Sequence, residues 1–279
     1  MISFLYGKVG KEKTKMISCK LMGGLGNLMF QVAAIEYLGN EYNFKTGYWN
    51  LDFQINHMNN DSYYNPILNH AEEYLNMFEH FKWPSINHPP GGFYNFKEVP
   101  FHYEPFEVLD DSTYNSMFQS EKYFPNRNFI INLFTPSKKV FSELKKYEEI
   151  LKGTTCAIHV RRGDYLKELS RTPSQNTQYF QNAINLIGCV DKYLIFSDDM
   201  EWCKENFLMK NITFIENEKD YVELFLQSKC THNIISNSTF SWWGAYLNKN
   251  KDKKIVAPSK WFKDNLKNDI VPDYWLTTK

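Results

Sequence analysis

The chain has 279 residues, 43% of them hydrophobic and 17% aromatic, enough for one sizeable core or two smaller ones. Its 32 basic and 32 acidic side chains cancel, which excludes a broad field for nucleic acid or an anionic membrane, so any anion site must be local. Five scattered cysteines without a CxxC pair argue against a disulfide framework or a zinc site and for a reducing compartment.

Residues 1–15 read as an appended segment. Their apolar stretch, 2–6, is too short for a signal peptide and is followed by Lys8, Lys11, Lys13 and Lys15. No run of about 18 apolar residues occurs, which predicts no membrane span. Two domains are expected, over 16–139 and 140–279. A strand over 16–22 leads into the turn Gly23-Gly24-Leu25-Gly26-Asn27 and then a helix over 28–38, with Leu28, Phe30, Val32, Ile35 and Leu38 as its apolar positions. The glycine spacing is not GxGxxG, so this is no dinucleotide fingerprint. Over 41–136 the pattern weakens, and short elements with long recognition loops are expected. From residue 140 helices are predicted over 140–151, 178–187, 200–207, 221–230 and 238–247. They alternate with strands over 156–160, 193–196, 212–215, 233–236 and 254–257. This α/β alternation predicts a parallel sheet covered on both faces, with ligands beyond the strands' carboxyl ends.

Three motifs fall at such ends. In the first, His159-Val160-Arg161-Arg162-Gly163-Asp164, the paired guanidinium forks suit a diphosphate, and Gly163 allows a tight turn. The bland alternative is an ion pair with Asp164. In the second, Asn237, Ser238, Thr239 and Phe240 open a helix whose free amides and dipole can take a phosphate, or which Ser and Thr simply cap. Trp242 and Trp243 read as core. In the third, Asp198 and Asp199 suit ribose hydroxyls or a guanine edge, or an N-cap, and are a poor metal set. The turn containing Gly24, Gly26 and Asn27 allows close backbone approach, or is only a tight turn. The seven histidines show no metal-like spacing, and there is no P-loop or nucleophile elbow.

Together the stretch from Gly23 to Gln31, His159 to Tyr165, Phe196 to Asp199 and Ser236 to Leu247 resemble the bacterial-type α-1,2-fucosyltransferases of glycosyltransferase family 11. The resemblance implies a GT-B fold, two facing Rossmann-like domains with the active site in the cleft. It implies an acceptor-side domain over 16–139 and a GDP-sugar-binding domain over 140–279. It implies GDP-β-L-fucose as donor, inversion, no cofactor and no obligatory metal. Catalytic roles fall to Arg161, Arg162 and Asp164. Donor contacts fall to His159, Gly24, Gly26, Asn27, Asp198, Asp199, Asn237, Ser238, Thr239 and Phe240, with Ser238 and Thr239 at the β-phosphate. Leu28 departs from the family's usual glutamine.

The expected acceptor is an oligosaccharide or glycan ending in a β-galactoside, with Trp49, Tyr63, Tyr64, Trp83 and Phe93 as candidates for sugar stacking. Asp164, Glu168 and Asp52 are the candidate bases, Asp164 better suited to bracing the arginines. The expected location is cytoplasmic, peripheral to a membrane through the substrate, with no nucleic-acid partner. Arg162→Ala is expected to cut turnover strongly and Arg162→Lys not to rescue it. The alternatives are a GDP-fucose enzyme with another sugar or protein hydroxyl as acceptor, and a non-catalytic sugar-nucleotide or glycan-binding protein.

Overall fold

The computed structural model describes residues 15–49, 73–88, 90, 96–98, 102–167, 170–264 and 266–279. Residues 1–14 and the candidates Asp52, Tyr63, Tyr64, Phe93 and Glu168 lie outside these.

Strand β1 (Met16–Lys20) leads into α1 (Leu25–Tyr42), which begins earlier than expected, so Gly26 and Asn27 form its first turn. Leu25, Leu28 and Met29 are buried there, and this burial draws the expected turn into the helix. α1 ends at Asn43, whose φ of 54° is a left-handed conformation that asparagine tolerates. Strands β2 (Lys45–Trp49), β3 (Ser85–Ile86), β4 (Phe96–Glu98) and β5 (Ser112–Asn115) complete a parallel sheet of order β3-β2-β1-β5-β4. They are two to five residues long, too short to leave a period in the sequence. Helices α2 (Arg127–Leu133) and α3 (Lys138–Leu144) follow.

The second sheet contains β6 (Thr155–Val160), β7 (Lys192–Ser197), β8 (Ile212–Phe214), β9 (His232–Ile234), β10 (Ile255–Pro258) and β11 (Leu276–Thr278). Between them lie α4 (Thr177–Ile187), α5 (Met200–Asn206), α6 (Asp220–Lys229) and α7 (Thr239–Tyr246). All pairings are parallel, in the order β11-β10-β9-β6-β7-β8. The expected alternation is present. β11 escaped the sequence reading because its residues are largely exposed and carry no apolar signal.

Every residue of β6 is buried, and its faces alternate. Cys156, Ile158 and Val160 pack with Tyr179 and Phe180 of α4, while Ala157 belongs to the other cluster, with Trp242 and Trp243 of α7. The connections leaving β6 and β9 therefore go to opposite faces. From β6 the chain moves outward to β7 and β8, and from β9 to β10 and β11. Such a switch point opens a crevice at the strands' carboxyl ends. In the first sheet β1 and β5 are the corresponding pair.

Helix α7 joins the halves. Phe30 of α1 lies 4.4 Å from Trp242 and 5.0 Å from Trp243, ring to ring, and Phe124 and Phe134 flank Trp243 at 5.7 and 5.1 Å. Trp243 Nε1 donates to Gly26 O at 2.9 Å. At the other end, Arg127 Nη2 donates to Tyr246 O and Asn248 O at 2.7 and 2.9 Å, capping the carboxyl end of α7.

Candidate active site

The switch crevice of the second sheet brings His159, Arg161 and the start of α7 together. Ser236 Oγ donates to His159 O at 2.7 Å and accepts from Arg161 N at 3.2 Å, pinning the ends of β6 and β9 to each other. His159 is buried, its ring 5.5 Å from that of Phe240, and its Nδ1 has no hydrogen-bond partner among the described residues. Burial, then the nearby Arg161 charge, pushes its pKa down to about 3, so the imidazole is neutral. Ser238 occupies the N-cap position of α7 in extended backbone but makes no side-chain cap. The dipole end of α7 is thus not occupied by its own cap side chain, a geometry that suits an anion.

The two arginines diverge. Arg161 donates from Nε and Nη2 to Asp164 Oδ1 at 3.1 and 2.8 Å, approaches Asp198 Oδ2 at 3.3 Å, and lies over Tyr165. Arg162 turns instead to the start of α5. Its Nε donates to Asp199 Oδ2 at 2.9 Å and its guanidinium stacks 4.2 Å above Trp202. The hydrogen bond from Arg162 holds Asp199 below the usual carboxylate range. Asp199 also caps α5, accepting from Trp202 N at 3.2 Å. Asp198 accepts from Arg162 N at 2.9 Å and packs so tightly under Gly163 that a Cβ there would overlap it. Asn237 is fully engaged. Its Nδ2 donates to Lys260 O and Trp261 O, both at 2.8 Å, and its Oδ1 accepts from Gln175.

The first sheet supplies the facing wall. Gly24 is the N-cap residue of α1, its carbonyl accepting from Asn27 N at 2.9 Å. A Cβ on Gly26 would overlap Phe240 N and Thr239 C, so only glycine lets the start of α1 meet the start of α7. Asn27 follows, half-buried. Trp49 ends β2, half-buried, with Lys20 over its ring. Trp83 is buried beside Phe78 and Phe81 and donates to Tyr74 O, which takes it away from sugar stacking and into the core. Among the described residues no group of three or more His, Cys, Asp or Glu side chains is placed to hold a metal ion. No described helix is long and apolar enough to cross a membrane.

The sequence model of glycosyl transferase family 11 matches residues 5–278. The chain belongs to this family. It is a glycosyltransferase. Among curated relatives, it is similar to the Escherichia coli O-antigen biosynthesis glycosyltransferase WbnK, 33% identical over 54% of this chain and 55% of that protein, about half its length. It is 29% identical to an Escherichia coli α-1,2-colitosyltransferase over 94% of this chain and 98% of that one. To the Homo sapiens galactoside α-(1,2)-fucosyltransferase 1 it is 30% identical over 34% of this chain and 29% of the other. Among solved structures, NodZ α-1,6-fucosyltransferase soaked with GDP-fucose superposes with a TM-score of 0.55 at 12% identity, over 84% of this chain and 93% of that one. POFUT1 in complex with GDP gives 0.53 at 12%, over 88% and 97%. At these identities the likeness speaks for the fold, which is GT-B.

Sequence reasoning did not single out two carboxamides of this glycosyltransferase. Gln31, fully buried in α1, donates to Met22 O and Asn27 O at 2.7 and 2.9 Å and accepts from Met22 N at 3.0 Å, clamping the glycine turn. Gln119, after β5, donates from Nε2 to Asn27 Oδ1 at 2.9 Å. Gln31 lies one helical turn beyond Asn27, a spacing that signals a shared face. Nothing in the sequence connects Gln119 to the turn.

Proposed function

We propose that this glycosyltransferase transfers L-fucose from GDP-β-L-fucose to the 2-hydroxyl of a terminal galactoside of a glycan, with inversion and without an obligatory metal. One observation carries the reading: two switch crevices abut. Neutral His159, Arg161 and the uncapped start of α7 stand on one side, and Gly26 and Asn27 on the other. In this reading residues 140–279 bind the GDP-sugar and 16–139 form the acceptor side. His159 and Asp198 are assigned to the nucleotide. An acceptor hydroxyl attacks the anomeric carbon while the bond to the β-phosphate oxygen breaks, the electron pair leaves with GDP, and the hydroxyl proton passes to water. Arg161 and the start of α7 at Ser238 and Thr239 receive the growing negative charge, a task that a metal ion performs in other transferases. Asp164, tied to two nitrogens of Arg161, serves as its brace. We place the reaction in the cytoplasm, with membrane attachment only through the acceptor, a reading supported by the five free thiols.

The relatives' activities, galactoside α-(1,2)-fucosyl transfer and α-1,2-colitosyl transfer, support an α-1,2 linkage. The test is incubation with GDP-fucose and a panel of terminal β-galactosides, reading GDP release and product linkage by NMR. GDP release with an α-1,2 product, undiminished by a chelator, is expected. Release with another linkage overturns the acceptor assignment, and no release across the panel overturns the donor assignment.

A second donor is favoured by one observation, the match to an α-1,2-colitosyltransferase across 94% of the chain. Colitose is fucose without its 3-hydroxyl. A site built to hydrogen-bond that hydroxyl rejects the deoxy sugar by about 10⁴-fold, whereas a site built without such a partner does not. The ratio of kcat/KM for the two GDP-sugars decides between them.

A further inference from the structure

Gln119 has no part in the reading above, yet it is buried at the first sheet's switch point and its Nε2 donates to Asn27 Oδ1. A carboxamide has two unlike ends, and fixing the oxygen leaves Nδ2 as the end turned away. Nδ2 rests against Gly23, whose φ of +83° and missing Cβ make room for it, since a Cβ there would overlap it. Its neighbour in α1, Gly26, is pressed onto the Thr239–Phe240 backbone, so Asn27 stands beside the start of α7, where an anion is best received.

The chain is strained to bring Gln119 there. Phe118 has φ 49°, a left-handed conformation that is unfavourable for a bulky side chain. It is held by Phe118 N donating to Ser116 Oγ at 3.2 Å and Ser120 N donating to Phe118 O at 2.7 Å. Its ring is buried against Phe106, Tyr114 and Tyr123. Strain of this kind persists only where the surroundings over-determine it, and the residue it delivers is Gln119. Gln31 holds Asn27 from the opposite side through its backbone carbonyl.

We infer that Gln119 is a positioning residue that locks the Asn27 carboxamide with Nδ2 presented as a hydrogen-bond donor to the leaving diphosphate. The inference rests on the GDP-sugar reading of the site.

Gln119→Glu tests it, because it keeps the shape and reverses the polarity. The ionised carboxylate accepts from Nδ2, turns the amide over, and leaves an oxygen facing the phosphate. The expected loss in kcat/KM at about pH 8 is 10–100-fold, the worth of a hydrogen bond to a charged group, with GDP binding about tenfold weaker. On acidification the introduced carboxyl gains a proton, donates to Asn27 Oδ1 and restores the original orientation, so the ratio to wild type recovers. The Cys19 thiol, pushed up to about 12 by burial, contacts Gln31, and His159 titrates near 3. Neither changes charge between about pH 5.5 and 8, where a buried carboxyl protonates.

Gln119→Met removes the tether without reversing it, and a pH-independent loss of about 3–10-fold is expected, a fraction of one charge-assisted hydrogen bond. It also stands in if Gln119→Glu fails to fold. Activity of Gln119→Glu within twofold of wild type at about pH 8, or a deficit that does not shrink on acidification, overturns the inference, as does unchanged activity in Gln119→Met. If wild type turns over neither GDP-fucose nor its 3-deoxy analogue, the sugar reading has failed. The affinity of the variants for GDP across the same pH range then decides the role of Gln119 on its own.

Discussion

The two sheets meet at one place and bring different chemistry to it. At its switch point the second sheet contributes charge and dipole: Arg161 with its flanking carboxylates, and the start of α7. The described residues of the first sheet contribute glycines and carboxamides: Gly23, Gly24, Gly26, Asn27, Gln31 and Gln119. Charge and dipole suit an anion, while neutral amides and absent side chains set how closely the facing wall can approach without adding a competing ion. The halves share α7 as a common wall, held at its start by Gly26 and at its end by Arg127. The cleft geometry therefore belongs to both sheets, and its chemistry mostly to one.

The largest expected effect separates the two arginines on the charged side. Arg161→Ala is expected to lower kcat/KM by about 10³-fold, the scale seen when a donor to a developing oxyanion is removed. Arg162 is bound to Asp199 and stacked on Trp202, so Arg162→Ala is expected to lower kcat/KM by less than about tenfold while dropping Tm by about 2–4 °C. The sequence placed equal weight on both, and named Arg162→Ala as the decisive variant. Steady-state kinetics with thermal melts of the two variants settle the assignment, and a larger catalytic loss in Arg162→Ala reverses it.

The second prediction breaks the neutral wall. Gly26→Ala forces a methyl into the backbone of Thr239 and Phe240, which cannot yield as a flexible side chain would. An overpacking cost of about 1–3 kcal/mol is expected by urea denaturation. The Trp243 bond to Gly26 O lengthens with it, so tryptophan fluorescence of the folded state should shift as activity falls. Unchanged fluorescence and stability would mean that the halves separate easily. At the far end of α7, Arg127→Met removes two charge-assisted bonds and is expected to cost about 1–3 kcal/mol with a smaller effect on kcat, since Arg127 is remote from the anion-facing end.

Legibility followed the same divide. The second sheet was readable because its central strands β6 and β7, six residues long, are largely buried, and helices α4 and α5 between its strands carry side-chain caps, such as Asn176 accepting from Tyr179 N. Its site motifs were contiguous in the chain. Beyond β1, the first sheet was not readable because β3 and β4 are two and three residues long. The start of α1 was misplaced because Gly24 and Gly26 signal a turn, whereas the helix needs Gly26 for contact with α7. Asp199 gave an ambiguous signal, and its cap to Trp202 with its pair to Arg162 accounts for both readings. Contacts such as Gln119 to Asn27, 92 residues apart, depend on tertiary placement alone.

The smallest effects concern pH, and they set two buried groups against each other. His159, lowered to about 3 by burial and Arg161, refuses a proton that the unfolded chain accepts below about 6.5. Its contribution to stability is therefore intact above that value and lost progressively as pH falls toward 3. Glu223 on α6 behaves oppositely. Burial, with Asp220 and then Glu218 beside it, raises its pKa to about 8. Tyr74 donates to Asp220, and Lys146 and Tyr147 bind Glu218 and hold it below the usual carboxylate range. Folded Glu223 keeps a proton that the unfolded chain has released above about 4.5, so stability declines as pH rises from there to about 8 and is level beyond. The two windows overlap between about pH 4.5 and 6.5, where the opposed slopes cancel, so Tm is level there and falls on either side. His159→Gln is expected to flatten the acid limb and Glu223→Gln the alkaline limb, each independently. A Glu223→Gln profile that still declines between pH 6 and 8 would move the alkaline limb to another group, leaving the acid limb as the only one tied to the candidate site.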